Sequence, residues 1–338
     1  MVKVAVIGGG IFGCTIAVDL ARAGAKVDLF EARSDILIGA TSRCQGRLHR
    51  GYHYPRSDST AIAARDAFFN FMERYPAAIR RLNHFYAIAP DSKTTPDEFL
   101  AFCNRIHLPY KIVDHPWQLH TAEMCVKVPE AIIDFEILRR LVRSDLAKTG
   151  VTIHVSQPMK TVHGYDEVVF ATYGQPWPEP LQYEVCEIAI MELGRYTHDS
   201  FVVLDGEYVS LDPFGKFYAL YDVKNTVHHT SVGWIPEIPP GYEGLLSRVG
   251  LLKTSVSRFD AMVASASRFL WGLEPGSQHT SIYHGSMFSV RAVLPDVENT
   301  DKRPTLIHRQ DNETRILSGK ICTAVTAAKQ VTEMLVAA

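Results

Sequence analysis

The chain has 338 residues, 46% of them hydrophobic and 21% charged, with a formal net charge of -2. That is long enough for two intergrown domains and apolar enough for an ample core, and the balanced, scattered charge gives no sign of a nucleic-acid partner. No apolar run approaches a membrane span, the first residues read directly as a strand, so that no signal peptide is expected, and the six cysteines show no CxxC or metal-ligand spacing. The expectation is a cytoplasmic protein with reduced thiols, no transmembrane segment and no metal.

In chain order, Val2 to Ile7 is a short β-branched run of the kind that forms a buried parallel strand. It breaks into Gly8-Gly9-Gly10-Ile11-Phe12-Gly13, a GxGxxG turn, and a helix follows with Ala17, Leu20 and Ala21 on one stripe and Gly24 as its stop. Lys26 to Phe30 is a second strand, and Glu31 stands at its end, 18 positions beyond Gly13. Gly8 permits the tight turn, Gly10 lets the backbone approach a pyrophosphate, and Gly13 lets helix and strand pack closely. The helix start offers unpaired N–H groups and a positive dipole end to phosphate, and Glu31 can accept from ribose hydroxyls while repelling a 2′-phosphate. Strand, turn, helix, strand and acid fall in the order a dinucleotide site needs.

Further along, Ala61 to Leu82 reads as a helix with a Phe68, Phe69, Phe71, Met72 core cluster. Asp134 to Thr149 reads as a helix stopped by Gly150 and followed by the strand Val151 to Val155. The stretches 183–193, 201–211 and 216–235 are β-rich and predict an antiparallel sheet over the active site, and Ser247 to Leu273 reads as helical. The His228-His229 pair lacks a third ligand in pattern and is expected to be structural.

Three segments together resemble the D-amino-acid-oxidase-like FAD oxidoreductases, nearest the branch that holds L-2-hydroxyglutarate and glycerol-3-phosphate dehydrogenases. The first is the N-terminal fingerprint with its continuation Glu31-Ala32-Arg33 and Gly39-Ala40-Thr41-Ser42, which resembles that of glutathione-reductase-type flavoproteins. The later strand and "ATG" motif of those proteins has its likeness in Asp166 to Gly174, including Ala171, Thr172 and Gly174. The second is Thr41 to Tyr54, similar to the family's loop under the isoalloxazine ring. The third is Phe288 to Asp296 with Ile316 to Thr323, similar to the family's "G-[VL]-R-P…P-D" and "GGK[IL]TT" motifs. Departures are Ala292 where the family has Pro, Ser318 where it has Gly, and His53 where the glycerol-3-phosphate branch tends to place Arg.

The resemblance implies an α/β fold: a glutathione-reductase-type FAD-binding Rossmann domain (1–85, 135–180 and 285–338) with an antiparallel β-sheet substrate domain (86–134 and 181–284). It implies FAD as cofactor, held by Gly8, Gly10, Ile11, Phe12, Gly13, Glu31, Ala32, Arg33, Thr41, Ser42, Arg43, Gly46, Leu48, His49, Ala171, Thr172, Gly174, Gly319, Lys320 and Ile321. Arg43 is expected to face the pyrophosphate, and His49 is the position some relatives bond covalently to flavin. Gly319 and Lys320 open the last helix, whose start is expected to meet the negative charge of a reduced flavin. Arg291 is expected to grip a substrate carboxylate, its alternative being an ion pair with Asp296 or Asp301. His53 is the candidate general base, Tyr52 and His284 are candidate substrate residues, and the basic loop 43–56 is expected to surround an anionic ligand. His284, like His308, also has a plain hydrogen-bonding reading. The activity implied is oxidation of a small anionic substrate, a 2-hydroxy acid or polyol, by hydride transfer to flavin N5. An amino-acid or secondary-amine oxidase, an aromatic hydroxylase and a non-catalytic flavoprotein are the alternatives. Oxygen, a quinone and a carrier protein all stay open as electron acceptor.

Overall fold

A computed structural model describes residues 1–159, 162–194, 198–206, 208–273, 281–295, 300 and 302–336. Asp296 and Asp301, the acids considered beside Arg291, and Glu207 of the 201–211 stretch lie outside the described residues.

The first layer is a six-stranded sheet in the order 306–310, 313–317, 167–170, 3–7, 26–30, 152–154. Its pairings are parallel except for the hairpin Leu306–Gln310 with Glu313–Leu317. Parallel strands buried on both faces need continuous apolar runs, and Val4, Val6 and Leu29 are buried under helices. Those helices are Ile11–Arg22, Phe135–Thr149 and Ala324–Val336. The helix Phe135–Thr149 has the ends its sequence promises. Asp134 accepts from the Ile137 amide at its start, and Gly150 closes it with φ 72°, the left-handed conformation that suits glycine.

The second layer is a nine-stranded sheet built around the 13-residue strand Leu181–Leu193, which pairs antiparallel with Val227–Gly233, Phe217–Asp222 and Ser281–Val293. It is antiparallel apart from the pairing of His84–Ile88 with Ser200–Leu204. The expected boundaries at 85 and 285 therefore fall inside strands of this sheet. A small third sheet joins Arg47–Leu48, Ala131–Ile133 and Ile79–Arg80.

Two helices differ from expectation. The one predicted over Ala61 to Leu82 spans Asp58–Arg74, capped by Ser57 and ended before Pro76, which disfavours helical geometry in the residue ahead of it. Phe68 and Phe71 are buried, but Phe69 faces solvent. The helix predicted over Ser247 to Leu273 is confined to Phe259–Ala266. The stretch before it runs extended, with Leu252 exchanging backbone hydrogen bonds with Ser286 at 3.0 and 2.9 Å.

The second and third sheets meet at Arg47. Its guanidinium reaches Glu130 (3.3 Å), Ser200 Oγ (2.7 Å) and Asp212, and the charged side chains are sealed from solvent. Tyr86 donates to Glu130 at 2.8 Å, and the Arg50 amide donates to the other oxygen at 2.7 Å. Burial pushes both the Glu130 and Asp212 carboxyls upward in pKa, opposed by the shared arginine. Removing the cation strands two acids in a dry interior. Arg47→Met should therefore destabilise the protein by about 3–5 kcal/mol, read as a lower midpoint in urea denaturation.

Candidate functional site

A cavity of about 1060 Å³ runs between the two main sheets, lined at one end by Gly10, Ile11, Glu31 and Ala32 and at the other by Tyr221, Arg291 and Lys320. That volume lies at or above the top of the range for small-ligand sites, with room for a dinucleotide and a small second molecule.

The phosphate end follows from backbone sterics. A Cβ on Gly13 would lie 1.9 Å from the Gly8 carbonyl oxygen, and one on Gly8 would lie 2.5 Å from that of Ala171. Both glycines are demanded by the fold itself. A Cβ on Gly10 would meet only Thr41 Oγ1, at 3.3 Å, and would otherwise project into the cavity. The helix that starts there carries no side-chain N-cap from Gly10 and no acid in its first turn. Thr41 Oγ1 accepts from the Ile11 amide at 3.1 Å. Glu31 is held by the Gly9 and Arg33 amides, 2.7 Å each. A helix N-terminus with no cap from its own Gly10, its Ile11 amide held by Thr41, a glycine whose side of the cavity stays open and a fixed acid beyond the second strand form a cradle that fits the diphosphate and ribose of FAD.

At the far end, His49 and His53 lie with ring centroids 5.5 Å apart, and the Lys320 ammonium sits 4.6 Å from the Tyr54 ring centre. His49 Nδ1 and His53 Nδ1 are buried without a protein hydrogen-bond partner. Burial holds both imidazoles well below the usual histidine range, and the positive charge of Lys320 is the next cause for each. Both are neutral at pH 7. Ser318 is followed by Gly319, whose would-be Cβ collides with the Arg303 carbonyl oxygen at 2.3 Å, and the chain then makes a short 3-10 turn, Ile321–Thr323, before the last helix. Gly319 and Lys320 thus precede that turn, with the helix beginning at Ala324.

Of the residues expected to hold cofactor or substrate, Gly10, Ile11, Phe12, Glu31, Ala32, Arg33, Thr41, Arg43, Gly46, His49, His53, Ala171, Thr172, Arg291, Gly319, Lys320 and Ile321 line this cavity. Others do not. Gly8, Gly13, Ser42 and Gly174 stand behind the wall, Gly8 and Gly13 shaping the turn. Leu48 is fully buried in the first layer's core. Tyr52 is fully buried among Tyr86, Phe99 and Phe102, with its hydroxyl on the Pro109 carbonyl. His284 pairs with Glu192 at 3.0 Å and packs on Phe217, away from the cavity.

The basic loop also departs from expectation. Arg43 lines the cavity but donates to the Leu246, Phe288 and Arg248 carbonyls and so ties the loop to the 246–248 segment and the strand Ser281–Val293. Arg47 is the buried hub, Arg50 stacks on Phe69 at 4.8 Å, and Arg56 pairs with Asp205 at 2.9 Å. Arg291 is paired as well, by Glu184 on the neighbouring strand, with Nη1 3.3 Å from the Tyr221 hydroxyl. The His228-His229 pair is structural as expected at its first member, since His228 bridges Glu187 and Tyr242 at 2.8 Å each.

Cavity residues missed at first are Tyr54, Tyr173, Gln182, Glu184, Tyr221 and Arg303. Gln182, Glu184, Cys186 and Ile188 share one face of their strand, a period-two pattern that was there to be read.

Comparison with known proteins agrees with this geometry. The sequence profile of the family described as FAD dependent oxidoreductase (DAO) matches residues 3–171, half of the chain. The FAD-dependent monooxygenase kojA of Aspergillus flavus is 24% identical, over 98% of this chain and 85% of its own length. L-proline dehydrogenase from P. horikoshii shares the fold with a TM-score of 0.71 at 16% identity, covering 99% of this chain and 93% of that one. The glycerol-3-phosphate dehydrogenase from Bacillus halodurans, complexed with FAD, gives 0.64 at 14% identity, over 100% of this chain and 64% of that one.

The glycine geometry separates two outcomes. Gly10→Ala should leave the melting temperature of the flavin-free protein nearly unchanged yet lower flavin per protein sharply. Gly13→Ala should lower both, because its methyl has no space even without a ligand. Absorbance at 450 nm against protein concentration, with thermal melts of the apoprotein, checks this.

The buried histidines make stability depend on pH. His49, His53 and His84 all have folded pKa values below the unfolded value of about 6.5. Below that pH the unfolded chain binds more protons, so stability should fall as pH drops below about 6.5 and level off above it. Melts across that window would show a flat acid side if the three rings were exposed.

Proposed function

The chain belongs to the DAO family of FAD-dependent oxidoreductases, and from that premise we propose that it oxidises a C–H bond bearing a hydroxyl on a small substrate, with hydride passing to flavin N5. Bound FAD supplies the hydride acceptor, and the residues of the phosphate cradle described above would hold it. The observation that carries the reading is His53. Its half-buried ring lines the cavity, its surroundings hold it neutral, and its Nδ1 has no hydrogen-bond partner in the protein.

Oxidising an alcohol carbon to a carbonyl releases a hydride from carbon and a proton from oxygen. A neutral imidazole can take that proton, and we assign that role to His53, which lines the cavity. Lys320, which lines the cavity just before the turn into the last helix, would offer positive charge to the negative charge that a reduced flavin carries.

A second reading comes from the curated relative named as a monooxygenase, which matches nearly the whole chain. It needs an external reductant and oxygen. Direct reduction by substrate separates the two readings. Under the first, an anaerobic panel of hydroxy acids, polyols and amines should bleach the 450 nm band with at least one hydroxyl compound. Bleaching only by a nicotinamide donor would favour the monooxygenase, and bleaching only by amines would give the site to an amine oxidase.

His53→Gln should retain flavin and slow reduction about 10²–10⁴-fold. The wild-type rate should show no acid limb from His53 near neutrality, because that ring gains its proton only well below 6.5. An unchanged rate in the variant would remove His53 from the reaction.

A further inference from the structure

We propose that the substrate is uncharged and hydroxyl-bearing, a polyol or sugar-like molecule, and that Glu184 is the residue that turns carboxylates away. The inference rests on the reading above that the cavity oxidises a hydroxyl-bearing carbon.

Glu184 and Arg291 are directly opposed on antiparallel strands, in the register that sets Glu184 against Arg291 and Tyr183 against Ala292. Nε and Nη2 of Arg291 both turn to Glu184 Oε2. Gln182 Nε2 donates to the other carboxylate oxygen at 2.7 Å. The Glu184 side chain is 2% exposed and that of Arg291 is 22% exposed, so the acid sits deeper and the arginine forms its cover.

A guanidinium recognises a carboxylate best through a pair of parallel N–H donors. In this chain the Nε–Nη2 edge is taken by an acid the protein itself provides. An incoming carboxylate would add a second negative charge beside Glu184, and like charges at a buried site disfavour each other strongly. Hydroxyl groups meet no such penalty, and the polar groups around the pair suit them. Tyr221 lies 3.3 Å from Arg291 Nη1, and Thr230 is the register partner of Glu184 across the other strand. Tyr173 and Tyr221 are held protonated by burial and line the same wall. Each can donate or accept, as the hydroxyls of a polyol require.

Arg303 is the other cation whose field reaches Tyr173, Tyr221 and His53, so the test must separate it from Arg291. The FAD-loaded protein is titrated with benzoate and with gluconate, following perturbation of the flavin absorption band, which needs no turnover. Sorbitol serves as the uncharged counterpart of gluconate.

Wild type should bind both acids at least ten-fold more weakly than Glu184→Gln does, and sorbitol should be affected little by the substitution. Glu184→Met gives the same comparison if the Gln variant does not hold flavin. Equal carboxylate affinity in wild type and variant overturns the proposal. So does tight carboxylate binding by wild type that disappears in Arg303→Met, which would place an anion site at Arg303. Failure of every hydroxyl compound to bleach the flavin would instead defeat the oxidation reading, and the carboxylate titrations would still decide the role of Glu184.

Discussion

The buried hub at Arg47 is the constraint on which the site depends. A single guanidinium ties the short strand of the flavin loop to Glu130, at the entry to the third sheet, and to Ser200 and Asp212 in the second. A buried ion group of this kind contributes little net stability compared with apolar packing, but it tolerates few alternative geometries. It therefore fixes where the loop 43–56 can run. His49 and His53 are carried on that loop two and six residues after Arg47, and Gln45 on its other side reaches Ser210. The positions of the cavity's polar groups follow from an interaction that does not itself take part in chemistry.

The same accounting explains why a loop so rich in arginine does not form an anion site. Four arginines between 43 and 56 look like an electropositive surface when read along the chain. In space each has a partner: carbonyl oxygens for Arg43, two carboxyls for Arg47, an aromatic face for Arg50 and Asp205 for Arg56. Charge that is matched locally stitches layers together and leaves little field for a ligand. Lys320, positioned beside Tyr54, is then the leading charge acting on His53, followed by Arg47 and Arg303.

What the sequence made legible was whatever depends on neighbours in the chain. The GxGxxG turn could be read because its glycines answer to backbone sterics within a few residues and to one adjoining strand. The helix ended by Gly150 could be read because both caps are local. Tyr52 was misread because a two-residue difference along a loop decides between core and cavity, and Tyr54 takes the place expected of it. The role of Arg291 was only half visible. The arginine was picked out, but its partner stands 107 residues earlier in the chain and is met only once the strand register is known. His284 takes its plain hydrogen-bonding reading rather than the substrate one, paired with Glu192 on the long strand Ser281–Val293 and outside the cavity lining.

These partnerships also couple the two ends of the cavity. His49 and His53 are held neutral first by burial and then by Lys320, with Arg47 adding to both and Arg303 and Arg291 to His53. Arg47 and Arg291 already have carboxylate partners, so Lys320 is the cation at which added negative charge bears most on these imidazoles. A group that brings negative charge to Lys320 offsets the field that lowers the histidines and makes them stronger bases. His53 is then weakest as a base while the cavity is empty of anionic partners and strongest when its far wall is neutralised. Charge at Lys320 thus bears directly on the basicity of the imidazoles that share its side of the cavity.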